Sequence, residues 1–239
     1  MDCSDLKLEW ARVEQMIDDS RKLLDAKMYD KATEVLLDIY KEIKDLNIAW
    51  IHDEKEYFED LKYDYWVVMV YVCSRLAFCY NEIHDFANAY YYGAWVGESG
   101  DYTAFVEWIN CLVNSNHPEA YEKVCQYYDK DALKELLGDE PEEIEAAYDF
   151  LGRRLAYVHV ENGYMDAARE LLNELKERPS CRKFAEGELD YLDSIENGDD
   201  EEREAALADD ETRVAPTESL FPLHSMREHR RRRRPRGLR

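Results

Sequence analysis

Residues 155–179 read LAYVHVENGYMDAARELLNELKERP. Within them Leu155-Ala156-x-x-His159 leads to Gly163-Tyr164-x-x-Ala167, and Pro179 follows twelve residues after Ala167. Apolar residues recur at steps of three and four on both sides of Gly163, the spacing that puts them on one face of a helix. Glycine stops a helix readily, and proline cannot continue one. The stretch therefore predicts a helix ending at Gly163, a second from Met165 to Glu177, and a break at Pro179. Two antiparallel helices approach closely only where side chains are small. Ala167 is expected at that contact, with the Tyr164 ring filling the wedge at the bend.

The same arrangement recurs upstream. Leu76-Ala77-x-x-Tyr80 leads to Phe86-x-x-Ala89, and Ser20-x-x-Leu23 leads to Tyr29-x-x-Ala32. With turn aromatic, small alanine and terminating proline together, the sequence resembles the tetratricopeptide repeat family. The match is clearest at Leu155–Pro179, good at Leu76–Val96 and weaker at Ser20–Ile39. A degenerate copy lies at Phe105–Tyr127, with Ala120 in the small position. The copies are unevenly spaced, with Tyr29 and Phe86 57 residues apart and Phe86 and Tyr164 78 apart. The resemblance implies an all-α, αα-hairpin solenoid with a right-handed superhelical turn, whose concave groove is lined by the first helix of each pair.

The rest of the chain reads as helix as well. Leu6, Trp10, Val13, Ile17 and Leu24 make an apolar stripe behind Ser4, a candidate N-cap. A second helix from about Asp30 carries Ala32, Val35, Leu36, Ile39, Ile43 and Leu46, and a long one runs from about Asp53 to Ile83. Asp85 can cap the next, with Phe86, Ala89, Gly93 and Val96 inward and Gly97 and Gly100 at its end. Asp101–Asn114 is a helix through Phe105, Ile109 and Leu112. Pro118 stands where a first helical residue would, ahead of Ala120, Val124 and Tyr127. Leu133, Leu136 and Leu137 close on Gly138. Pro141 opens a helix with Ile144, Tyr148, Leu151, Leu155 and Val158, and a last amphipathic helix carries Phe184, Leu189, Leu192 and Ile195. About ten helices in antiparallel pairs result. With 9 Gly and 6 Pro in 239 residues, and neither before Gly93, the chain lacks the turn residues that a sheet protein needs.

Charge divides the chain. Arg227–Arg239 holds eight arginines and one glutamate, a local +7 that leaves −30 on residues 1–226 of a chain whose formal net charge is −23. The expected organisation is a helical repeat domain over 1–196, ending in a capping helix, an acidic disordered linker over 197–226 and an Arg-rich tail over 227–239. The acidic body repels phosphate backbones and favours basic partners. Six scattered cysteines without a C-x-x-C pair suit reduced thiols, and no secretory signal is visible at the N-terminus. The most apolar stretch, Trp66–Tyr80, is too short to span a bilayer. A cytoplasmic protein is expected, or a nuclear one if the tail acts as an import signal.

The groove positions implied by the resemblance are Ile17 and Arg21 in the first pair and Tyr71, Ser74, Arg75, Phe78 and Asn81 in the middle pair. In the last pair they are Phe150, Arg153, Arg154 and Tyr157. Arg21, Arg75, Arg153 and Arg154 would form an anion-reading stripe over an aromatic floor, suited to an extended acidic peptide or a C-terminal carboxylate. The competing reading pairs these arginines with nearby carboxylates such as Glu142 or Glu145, or leaves them solvated. No H-E-x-x-H, phosphate-cradling loop or G-x-S-x-G occurs. His159 reads as a packed histidine, His84 and His117 as turn residues, and His52-Asp53-Glu54 as a weak surface metal candidate. No catalytic residue, metal or cofactor is expected, and no membrane contact. The expected function is a non-catalytic scaffold, adaptor or chaperone for a protein partner. The alternative is a nucleic-acid-associated protein anchored through Arg230, Arg231, Arg232, Arg233, Arg234 and Arg236. The abrupt change of composition also fits a tail that arises by read-through or frameshift.

Overall fold

The computed structural model describes residues 3–45 and 59–197. Among them are ten helices and no strand: α1 (Cys3–Asp25), α2 (Tyr29–Asp45), α3 (Glu59–Glu82), α4 (Phe86–Val96), α5 (Tyr102–Asn114), α6 (Ala120–Tyr127), α7 (Lys130–Leu137), α8 (Pro141–Glu161), α9 (Met165–Lys176) and α10 (Arg182–Asn197). The all-α expectation holds. The acidic linker and Arg-rich tail lie outside the described residues, as do Leu46 and His52-Asp53-Glu54.

Local chemistry sets the helix ends. Asp85, Asp101 and Asp129 each accept a hydrogen bond from the backbone N–H three residues on, capping α4, α5 and α7. Pro141 opens α8, and Gly138, at φ +84°, closes α7. Two sequence expectations fail at helix starts. α1 already includes Cys3, so Ser4 lies inside it. Pro118 sits in a turn, and α6 begins only at Ala120.

Four turns share one backbone geometry. Lys27, His84, Asn116 and Gly163 all have positive φ, at 55°, 64°, 51° and 78°. In each, the following N–H reaches back to a carbonyl of the finished helix: Met28 to Leu23, Asp85 to Tyr80, His117 to Leu112 and Tyr164 to His159, at 2.8–2.9 Å. This is the bonding of a Schellman stop. Three of the next helices start two residues after the positive-φ residue, at Tyr29, Phe86 and Met165. Ala32, Ala89 and Ala168, three residues further, are each fully buried. The structure thus moves the last copy by one residue. Met165 and Ala168 occupy the positions assigned to Tyr164 and Ala167, and Tyr164 is 54% exposed instead of filling a wedge.

Each helix packs on its chain neighbours, and α3 also meets α5, α6 meets α8, and α5 meets α8. The interior forms two apolar clusters. One joins α1–α4 through Val13, Leu36, Ile39, Leu76, Ala77 and Val96. The other joins α5–α10 through Ile109, Leu133, Leu151, Leu155, Leu172 and Leu192. α5 belongs to both: Ala104 and Cys111 enter the first, and Phe105, Ile109 and Leu112 the second. Every residue from Ala104 to Val113 is buried. Close approach of α4 to α5 depends on glycine. A Cβ on Gly93 would stand 3.2 Å from Cys111 Sγ, and one on Gly97 would stand 2.4 Å from the Trp108 ring.

Candidate functional site

α5 has a single charged residue, Glu107, in thirteen otherwise uncharged positions. It and Asn110, one turn on, are 2% and 1% exposed. Burial of such groups without hydrogen bonds is costly, so their partners are informative. Glu107 Oε2 has none, and neither does the nitrogen or the oxygen of the Asn110 amide. Asn81 of α3, also buried, donates from Nδ2 to Cys111 Sγ at 3.1 Å, while its Oδ1 is unpartnered. The Tyr71 hydroxyl is a further buried group without a partner. Buried polar atoms without hydrogen-bond partners therefore lie on both α3 and α5, which pack on one another, and α5 packs in turn on α8.

Charges gather on these helices. Burial pushes the Glu107 carboxyl up to about 7; Arg75 on α3 and Arg154 on α8 oppose that, and Glu82 reinforces it. The Asn110 amide leans the same way as the arginines without closing a hydrogen bond. Arg154 is 6% exposed, its guanidinium 5.3 Å from the Phe150 ring centroid. Burial, then the neighbouring Arg153, push it down to about 9, against Glu107 and Tyr157. A guanidinium holds its proton at any ordinary pH, so this burial acts as a demand for the negative charge of Glu107.

Arg75 is half-buried at the rim. Its guanidinium lies 5.6 Å from the Tyr71 ring centroid, and that of Arg21 from α1 lies 5.3 Å from the same ring. Arg21 is exposed and also pairs with Asp18 at 3.3 Å. Phe78 meets Tyr29 edge-on at 5.5 Å. Ser74 is buried and donates to the Tyr71 carbonyl at 2.8 Å. Tyr157, Phe150 and Ile17 are buried.

The residues anticipated from sequence thus fall into groups. Arg21, Tyr71 and Arg75 come together, and Arg75 and Arg154 both act on Glu107. Arg153 instead donates to Cys181 Sγ at 3.4 Å, beside a clasp in which Asp149 accepts from Arg178 Nε and Ser180 Oγ. Glu145 pairs with Lys130 and Arg178, and Glu142 is exposed. Glu107, whose burial the charges of Arg75 and Arg154 oppose, was passed over by sequence reasoning. Its signal was available: one acid inside Phe-Val-Glu-Trp-Ile-Asn-Cys-Leu, a run otherwise fit for a core.

The histidines singled out in the sequence sit against aromatic rings or in a turn. His159 is half-buried between the Tyr121 and Tyr164 rings, its Nδ1 unpartnered, and burial lowers its pKa. His84 occupies a left-handed turn, and His117 stacks on Tyr90 at 4.5 Å. Among the described residues no group of His, Cys, Asp and Glu could hold a metal ion. No helix there is long and apolar enough to cross a membrane. Cys73, Cys79, Cys111 and Cys181 are buried free thiols, and Cys125 is an exposed one. No protein-family model, curated protein or solved structure matches the chain.

Proposed function

We propose that the chain is a non-catalytic protein-binding scaffold of tetratricopeptide-like hairpins. An extended partner segment would lie along α3 where Arg75 and Arg21 stand over Tyr71, next to the contact of α3 with α5. The observation that carries this reading is the set of unmade hydrogen bonds at Asn81, Glu107 and Asn110, buried on α3 and α5, with half-buried Arg75 on α3. Each such group in a fold calls for an explanation, and the one offered here is a partner bound alongside. The four matching turns, with alanine buried at the same offset in three of them, support the repeat reading. The two guanidinium groups over Tyr71 would meet carboxylates of an acidic or C-terminal peptide, each contact contributing about 1.5–3 kcal/mol where desolvated.

The test is affinity capture with mass spectrometry on three forms: the full chain, the chain ending at Asn197, and the full chain carrying Arg21→Glu and Arg75→Glu. Arg154 is left intact because it is buried. A protein partner that survives truncation and is lost with the double reversal supports this site. The eight arginines at 227–239 favour a second reading, an anchor for nucleic acid. Recovery of nucleic acid that only truncation abolishes would establish that reading in place of the first.

A further inference from the structure

The turn between α9 and α10 is a basic island in an acidic body. Residues 176–183 read KERPSCRK, with Lys176, Arg178, Arg182 and Lys183 against the single Glu177. Ser180 stands exposed at its centre. Of the nine serines in the chain, only Ser180 has an arginine or lysine among the three residues before it. Part of the island is neutralised: Arg178 pairs with Glu145 at 2.8 Å and with Asp149, and Lys176 comes within 3.9 Å of Glu186. Arg182 donates from Nε to the Lys176 carbonyl at 3.2 Å. Arg182 and Lys183 are both exposed, and neither has an ion pair among the described residues. The Ser180 hydroxyl is also a fastening. Its Oγ donates to Asp149 of α8, a carboxylate only 7% exposed that accepts from Arg178 Nε as well. Cys181, the next residue, is fully buried; its Sγ donates to the Asp149 carbonyl at 3.7 Å and accepts from Arg153 at 3.4 Å. Asp149 therefore ties the turn before α10 to α8 through a serine that solvent reaches.

We propose that Ser180 is a phosphorylation site for a serine kinase that selects basic flanks, and that the phosphate opens this clasp. In the transfer, Ser180 Oγ bonds to the γ-phosphorus of ATP as the bond from that phosphorus to the β–γ bridging oxygen breaks. ADP leaves, and the hydroxyl proton passes through the kinase's base to solvent. Oγ then has no proton to donate, and a group of charge about −2 stands where Asp149 accepted a hydrogen bond. Like charges repel strongly at so poorly solvated a carboxylate. Arg178 lies two residues before the phosphate and Arg182 two after it, and guanidinium groups bind phosphate oxygens in charge-assisted pairs. Arg178 exchanges Asp149 for the phosphate, so the turn loses both side-chain ties to that carboxylate and α10 loosens from α8.

The readouts need no partner, so they decide the modification separately from the binding proposed for α3. The full chain, as wild type and Ser180→Ala, is incubated with ATP, Mg²⁺ and a panel of purified serine kinases that select basic residues before the serine. Fragmentation mass spectrometry locates the phosphate, and amide hydrogen exchange compares the modified and unmodified chains. Ser180 should be the principal site in the wild type. Amides of 182–192 should then exchange about tenfold faster, with those of α1–α4 unchanged. Ser180→Ala, which loses the hydroxyl and gains no charge, should speed α10 exchange less. Phosphate confined to other residues would overturn the proposal, as would phosphorylated Ser180 with α10 exchange unchanged. An increase in Ser180→Ala as large as that in the phosphorylated chain would overturn opening by charge.

Discussion

Arg154 lies with its guanidinium 5.3 Å from the centroid of Phe150, one turn earlier on the same helix, and both side chains are almost wholly buried. The ring supplies a face for the cation, and Glu107 supplies the opposing charge across the helix contact. Removing the cation leaves Glu107 less compensated, and reversing it puts two carboxylates in one dry interior. Arg154→Met should therefore cost about 2–3 kcal/mol and Arg154→Glu about 5 or more, enough to unfold a marginal domain. Urea denaturation midpoints of the two variants check this order.

Glu107 makes stability depend on pH in a definite direction. Burial raises it to about 7 from an ordinary 4.5. The folded chain then keeps a proton that the unfolded chain releases near 4.5. The contribution is fully present below 4.5 and is lost as pH rises through about 7, a difference of roughly 3 kcal/mol at 1.36 kcal/mol per unit. Glu107→Gln should remove that slope and be more stable than wild type at pH 8. Denaturation series at pH 5.5 and 8 measure both.

Two glycines should respond in opposite ways to alanine. At Gly97 the new methyl would meet the Trp108 ring at 2.4 Å, and Trp108 is held by Tyr127, Phe105 and Lys123. Gly97→Ala should cost about 1–3 kcal/mol. At Gly187, inside α10, nothing lies within 4 Å of the new atom. Gly187→Ala should stabilise by about 0.5–1 kcal/mol, from helix propensity. Thermal melts of the pair decide it.

The left-handed turns offer a parallel test. His84 bears a side chain at φ 64° where Gly163 bears none at φ 78°. That conformation costs a non-glycine residue about 1–2 kcal/mol. His84→Gly should therefore be neutral to stabilising, and Gly163→Ala should destabilise by about 1 kcal/mol. Matched chemical denaturation of both variants is the measurement.

These turns also show what could be read in advance. Asp85, Pro141, Gly138 and Gly163 announce helix ends by their own backbone chemistry, so the helices were legible. The register of the last hairpin was not. It is counted from the positive-φ residue, and Lys27 and His84 give no glycine flag to count from. An aromatic at Tyr164 then looked equivalent to Tyr29 and Phe86, although the backbone gives that place to Met165. Of the candidate site, Arg75, Arg154 and Asn81 were named from the sequence, whereas Glu107, whose burial Arg75 and Arg154 oppose, was not: it lies on a helix whose apolar spacing drew attention to its other faces. Periodicity identifies the residues that fill a core. It has little to say about a lone acid enclosed by it.

A plain stack of hairpins frays from its ends, each pair lost with only modest effect on the next. α5 alters that expectation, because its two sides close two different interiors and both rely on the same thirteen residues. Cutting the chain near Gly100 would strip the first half of Ala104 and Cys111 and leave the second without a wall against α3 and α4. Neither fragment would be a smaller version of the whole. The amide protons of 104–113 should be the last to exchange, released only when both halves come apart in one cooperative event.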